Sequence, residues 1–138
     1  MSNVFHYAFK VKDLVTTREF YMGILGCTEG RATKNWVDFD LYGNQLSAHL
    51  GVVDQALDYC GLVDGVSVPI PHFGCVLSAK QFSDLAEKLD STNVQFIIKP
   101  QGRYEGKPGQ QKTMFVLDFS GNPLEFKSFD DEHELFKT

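Results

Sequence analysis

The sequence predicts an α+β fold made of two βαβββ modules whose mixed sheets curl around a cavity. Three observations predict it. Short stretches of alternating apolar and polar residues read as strands, two stretches with helical spacing interrupt them, and the same order of elements occurs twice. The 138 residues suit one domain spanning 1–138, with modules at 4–51 and 72–128.

In the first module, Phe5, Tyr7, Phe9 and Val11 alternate with His6, Ala8 and Lys10, which makes Val4 to Val11 a strand. Asp13 is placed as the N-cap of a helix reaching about Ile24, with Leu14, Phe20, Tyr21 and Ile24 as core positions. Gly26 ends it. Strands follow near Cys27–Ala32, Asn35–Leu41 and Gln45–Gly51, the last two joined by the tight-turn sequence Tyr42-Gly43-Asn44. A loop from about Val52 to Pro71 leads to the second module.

There the order repeats. His72–Ser78 reads as a strand and Lys80–Leu89 as a helix with Phe82, Leu85, Ala86 and Leu89 on one face. Val94–Lys99 is the next strand, and the glycine-rich stretch Gln101–Gln111 interrupts the sheet. Lys112–Asp118 and Pro123–Ser128 form a last hairpin across Phe119-Ser120-Gly121-Asn122. The tail Asp131–Thr138 is a short helix, and the acidic run Asp130–Glu134 is a solvated surface.

Composition narrows the function. An apolar content of 43% with 12 phenylalanines indicates folding around a core. The net charge of −5, with no Lys/Arg cluster, opposes nucleic-acid binding. No apolar run reaches the length of a membrane span and no signal pattern opens the chain. Cys27, Cys60 and Cys75 are odd in number and lack metal-type spacing, so a reducing, cytoplasmic setting is expected. Cys75 reads as a buried small hydrophobe.

Four residues carry the chemistry. His6 and His72 open the first strand of each module, His49 lies in the fourth strand, and Glu125 in the last. His133 is the only other histidine and sits in the acidic tail. Alternation puts Phe73, Cys75 and Leu77, and likewise Leu124 and Phe126, against a helix. Leu46, Ala48 and Leu50 pack inward in the same way. His6, His49, His72 and Glu125 then share the opposite faces. Two imidazoles and one carboxylate on one face make an open iron(II) site, with positions left for substrate and dioxygen. Trp36, Asp38 and Asp40 alternate with Val37, Phe39 and Leu41, and either face the cavity or form sheet surface. Arg103 is a candidate to pair with a substrate carboxylate or else a solvated loop cation.

The doubled βαβββ order resembles the vicinal-oxygen-chelate superfamily, which holds glyoxalases, extradiol dioxygenases, fosfomycin-resistance enzymes and bleomycin-binding proteins. FHYAFKVKDL, FYMGILGCTEGR and the closing DFSGNPLEFK carry the likeness, with Phe119-Ser120 in place of a proline-containing pair. The resemblance implies a metal held by His6, His72 and Glu125. It puts His49 where glyoxalases carry an acidic residue and extradiol dioxygenases a histidine acid–base, and it leaves Met114 and Phe115 where those dioxygenases place a tyrosine. It implies an extradiol-type dioxygenase acting on a small catechol-like substrate, with His49 catalytic and Arg103 and Trp36 against the substrate. The expected cofactor is a divalent metal, Fe(II) first, with Mn, Zn or Ni as alternatives, and the expected assembly is a homodimer. The alternatives are a glyoxalase-like lyase or isomerase, a fosfomycin-resistance-like transferase, and a non-catalytic small-molecule binding protein.

Overall fold

A computed structural model describes residues 3–53 and 56–136. The chain forms two compact units, Met1–Gln55 with Asp118–Asn122, and Ala56–Leu117 with Pro123–Thr138.

The first unit is a four-stranded mixed sheet with one helical segment. Its elements are β1 (His6–Val11), α1 (Leu14–Arg18) running into a π-helical turn (Glu19–Ile24), β2 (Thr28–Ala32), β3 (Trp36–Leu41) and β4 (Asn44–Leu50). The strand order is β1-β4-β3-β2, with β1 parallel to β4 and the other pairs antiparallel. Asp13 caps α1 as the sequence indicates, its carboxylate accepting from the Thr16 N–H at 2.7 Å. The π turn is unforeseen. Its Leu25 N–H donates to the Phe20 carbonyl, 3.0 Å away, and this wider turn buries Leu25 with Phe20 and Tyr21 while Ile24 stays half-buried. Gly26, with φ of 78°, supplies the left-handed exit. Tyr42 and Gly43, both at positive φ, make the two-residue turn between β3 and β4.

Aromatic contacts tie helix to sheet. The Tyr21 ring stacks on Phe39 at 5.4 Å and leans on Phe9 at 5.5 Å. Its hydroxyl donates to the buried Asp118 carboxylate at 2.8 Å, which also accepts from the Ser120 and Asn122 N–H groups. Burial, reinforced by that carboxylate, holds the Tyr21 phenol well above its usual pKa. The expected aromatic stripe of the first strand is incomplete. Phe9 and Tyr7 are half-buried, but Phe5 lies before β1 and is 69% exposed. Leu50, at the far end of β4, is also exposed rather than inward.

The second unit repeats the plan. It contains a small hairpin of β5 (Gly61–Val63) and β6 (Val66–Val68), then β7 (Phe73–Val76), α2 (Ala79–Asp90), β8 (Phe96–Arg103), β9 (Gln111–Leu117), β10 (Pro123–Phe129) and a 3-10 turn (Glu132–Phe136). The main sheet has order β7-β10-β9-β8, with β7 parallel to β10. A capping box of Ser78 and Gln81 starts α2, satisfying orphan N–H groups at both residues. Phe82, Leu85 and Leu89 are buried, as are Met114, Val116, Leu124 and Phe126 on the facing strands.

Two segments differ from the sequence reading. The presumed loop from Val52 to Pro71 holds the β5–β6 hairpin, whose turn residues Asp64 and Gly65 both have positive φ; its residues 54 and 55 lie outside the described residues. The glycine-rich stretch does not begin at Gln101, because β8 continues through Arg103. Cys75 is half-buried rather than buried, and among the described residues Cys27, Cys60 and Cys75 form no disulfide. The end of the tail, 137–138, lies outside the described residues. None of the described helices is long and apolar enough to cross a membrane.

Candidate metal centre

In the second unit the chemistry gathers on the sheet face opposite α2. Parallel pairing of β7 with β10 sets Gly74 opposite Glu125, and His72 precedes β7 by one residue. His72 Nε2 stands 3.2 Å from Glu125 Oε1. The other carboxylate oxygen, Oε2, accepts from the Thr113 hydroxyl at 2.6 Å. His72 Nδ1 lies 2.6 Å from the Pro69 carbonyl, which accepts only, so Nδ1 carries the proton there. With Nε2–H donating to Glu125 Oε1 as well, the ring carries both protons in this ion pair, and loss of the Nε2 proton would leave a lone pair aimed to the carboxylate side. Phe115, paired with Glu125 across β9 and β10, meets the His72 ring edge-to-face at 4.8 Å.

The electrostatics follow from these contacts. The Glu125 hydrogen bond raises the His72 pKa above its ordinary value, although burial pulls the other way. Burial pushes the Glu125 carboxyl up, but hydrogen bonds from His72 and Thr113 outweigh it and leave the pKa lowered.

In the first unit His6 and His49 occupy the corresponding face. His6 is exposed at the start of β1, and its Nδ1 sits 2.9 Å from Gln45 Oε1. The amide oxygen accepts, which again leaves Nε2 outward. Gln45 Nε2 reaches Asp38 at 3.5 Å, and Asp38, nearly buried, takes the Ser47 hydroxyl at 2.6 Å. His49 is four register positions further along, opposite Lys10 and Trp36, so about 13 Å of strand separates it from Gln45. The Trp36 indole lies 6.1 Å from the His49 ring.

The structure therefore brings His72 and Glu125 together and places His6, His49 and Trp36 on the first unit. Among the described residues no three His, Cys, Asp or Glu side chains gather into a metal-holding group. The pair in the second unit suits a metal by its chemistry. Nitrogen and oxygen ligands at about 2.1 Å from one ion, on adjacent octahedral positions, stand about 3 Å apart. The remaining atoms of both side chains are held by Pro69 and Thr113, as ligand-orienting partners are. Arg103, expected in a loop, is instead 2% exposed at the end of β8, with its guanidinium 5.6 Å from the Phe115 ring centroid. Sequence reasoning did not single out Thr113 and named Phe115 only as standing where a tyrosine was expected; their register opposite β10 is a tertiary fact with no local signal. A cavity of about 640 Å³ on the α2 side, flanked by Phe82, Ala86 and Lys112, holds none of these residues.

A βαβββ order used twice, with a histidine–carboxylate pair on the sheet face opposite α2, defines an α+β protein of doubled-module architecture. Solved structures share the architecture over nearly the whole chain. A glyoxalase/bleomycin resistance protein/dioxygenase from Alicyclobacillus acidocaldarius is 29% identical, with a TM-score of 0.79 over 98% of this chain and 97% of that one. The fosfomycin resistance protein FosX of Listeria monocytogenes is 17% identical, with a TM-score of 0.72 over 99% of each chain. A mutant of FosX complexed with Mn(II) and 1S,2S-dihydroxypropylphosphonic acid is 18% identical, with a TM-score of 0.73 over 99% of this chain and 97% of that one. No protein-family model and no curated protein matches the sequence. The fold is that of the glyoxalase/bleomycin resistance/dioxygenase proteins, and the resemblance to the vicinal-oxygen-chelate superfamily is borne out.

Proposed function

We propose that the protein is a metal-dependent enzyme of the vicinal-oxygen-chelate type, acting as an extradiol-type dioxygenase on a small substrate with adjacent oxygens. The observation that carries this reading is the convergence of His72 Nε2 and Glu125 Oε1, each side chain fixed from behind. His6, its tautomer set by Gln45, is the third ligand. These three residues would hold a divalent ion, Fe(II) in this reading and Mn, Zn or Ni in the alternatives, which when bound would supply Lewis-acid stabilisation of a substrate oxygen. Thr113 keeps the Glu125 carboxylate turned toward His72. His49 takes the substrate proton, the acid–base role an imidazole can fill. Trp36, beside His49, gives an aromatic substrate a flat wall. The assembly is a homodimer in a reducing compartment.

Oxygen uptake by the Fe(II)-loaded, anaerobically prepared chain with a panel of catechols tests this. Uptake is expected, and His49→Gln should lower turnover roughly a hundredfold or more with iron content unchanged. A second reading, a lyase or transferase on the same residues, draws on the FosX likeness and its Mn(II) complex. It would gain if iron-loaded protein left oxygen untouched while the Mn(II) form turned over hydroxy-ketones or epoxides. Tight ligand binding without turnover in either form would leave the sequestration reading.

A further inference from the structure

Arg103 ends β8 opposite Gln111, and cross-strand partners share a face, so Arg103 lies on the same side as Gln111, Thr113 and Phe115. Phe115 is in turn opposite Glu125. One aromatic ring thus stands between the histidine–carboxylate pair and the guanidinium, 4.8 Å from the His72 ring and 5.6 Å from Arg103 Cζ.

Arg103 is only 2% exposed as a residue, yet among the described residues its buried Nε and Nη2 have no hydrogen-bond partner. Those two nitrogens are not an arbitrary pair. They form the side edge of the guanidinium, where two N–H bonds run parallel and match the two oxygens of a carboxylate. Glu125, the carboxylate on this face, is already engaged by His72 and Thr113. The Phe115 ring offsets part of the charge, as a cation over an aromatic face does. A buried cation with two bare donors otherwise stays costly.

We propose that the side edge of Arg103 is an anion subsite that receives a carboxylate of the substrate, which makes the substrate a small compound with both adjacent oxygens and a carboxylate. The substrate class rests on the metal-centre reading above; the anion subsite alone does not.

Metal-free full-length protein, titrated with benzoate and with its neutral analogue benzamide, tests the subsite without the metal. Benzoate should bind by calorimetry and raise the unfolding temperature, and benzamide should do neither. Arg103→Lys keeps the charge but loses the parallel edge and should weaken benzoate roughly ten- to hundredfold. Arg103→Met should abolish benzoate binding. Equal binding of benzamide and benzoate, binding of neither, or full benzoate affinity in Arg103→Lys would overturn the proposal; the first two outcomes need no variant. Benzoate binding without catechol binding to the Mn(II) form would instead count against the metal centre while leaving the subsite standing.

Discussion

His72 and Glu125 hold each other in the protonation states that an ion pair needs, and this gives the metal-free protein a pH signature. The hydrogen bond from Glu125 raises the His72 pKa above its ordinary 6.5, so the stability it adds is complete below that pH and lost as pH rises through the raised value. For Glu125, the hydrogen bonds outweigh burial and lower the pKa below 4.5; that contribution is present above pH 4.5 and lost as pH falls through the lowered value. The unfolding-temperature gap between wild type and Glu125→Gln should therefore be widest from pH 4.5 to 6.5 and narrow on either side. A gap that does not vary with pH would contradict the pairing. Thr113→Val removes the hydroxyl that holds Oε2. Metal titration should show affinity lowered about tenfold or more, with the fold retained by circular dichroism. The two ligand-type residues were legible from strand alternation alone. Arg103 was not: its neighbours are glycine and polar, and only the cross-strand register to β9 reveals that it is buried.

At the scale of elements, the two sheets are one topology used twice, and the differences between copies are informative. In the first sheet Ser47 faces Ala8 across the parallel pair, where the second sheet has Glu125 facing Gly74. Each copy thus brings a histidine to the start of its first strand, but only the second has a carboxylate at that register. Gly74 is fixed by that pairing, since a Cβ there would fall 1.6 Å from the Glu125 carbonyl oxygen. Gly74→Ala must push β7 from β10, and denaturant unfolding should show a loss of about 3 kcal/mol or more, with reduced metal uptake. An alanine tolerated with neither effect would mean that the strands are not so tightly opposed. The paired strands, both helices and the Asp13 cap were readable from patterning, whereas the Ser78–Gln81 capping box was missed although its spacing signals it. The β5–β6 hairpin carried a readable signal as well: Asp64-Gly65 between valines is a favoured two-residue turn. It was obscured by the short strands. The π turn had no signal, because Phe20, Tyr21 and Leu25 settle their phase only against the sheet.

For the whole molecule, the fold was legible because patterning repeats across two modules, and a doubled order is far more specific than any single strand. The chemistry was legible only as candidates, since which histidine meets which carboxylate depends on pairing. The central claim is that His6, His72 and Glu125 act as one metal-binding set. Its most direct measurement is elemental analysis of anaerobically purified full-length protein beside His6→Ala, His72→Ala and Glu125→Gln, each checked for folding. One equivalent of a divalent metal per chain in wild type, lost or sharply reduced in all three variants, is the expected result, and iron would favour the dioxygenase reading. Wild-type protein that takes up no metal after reconstitution, or binds it equally without His72, would contradict the account.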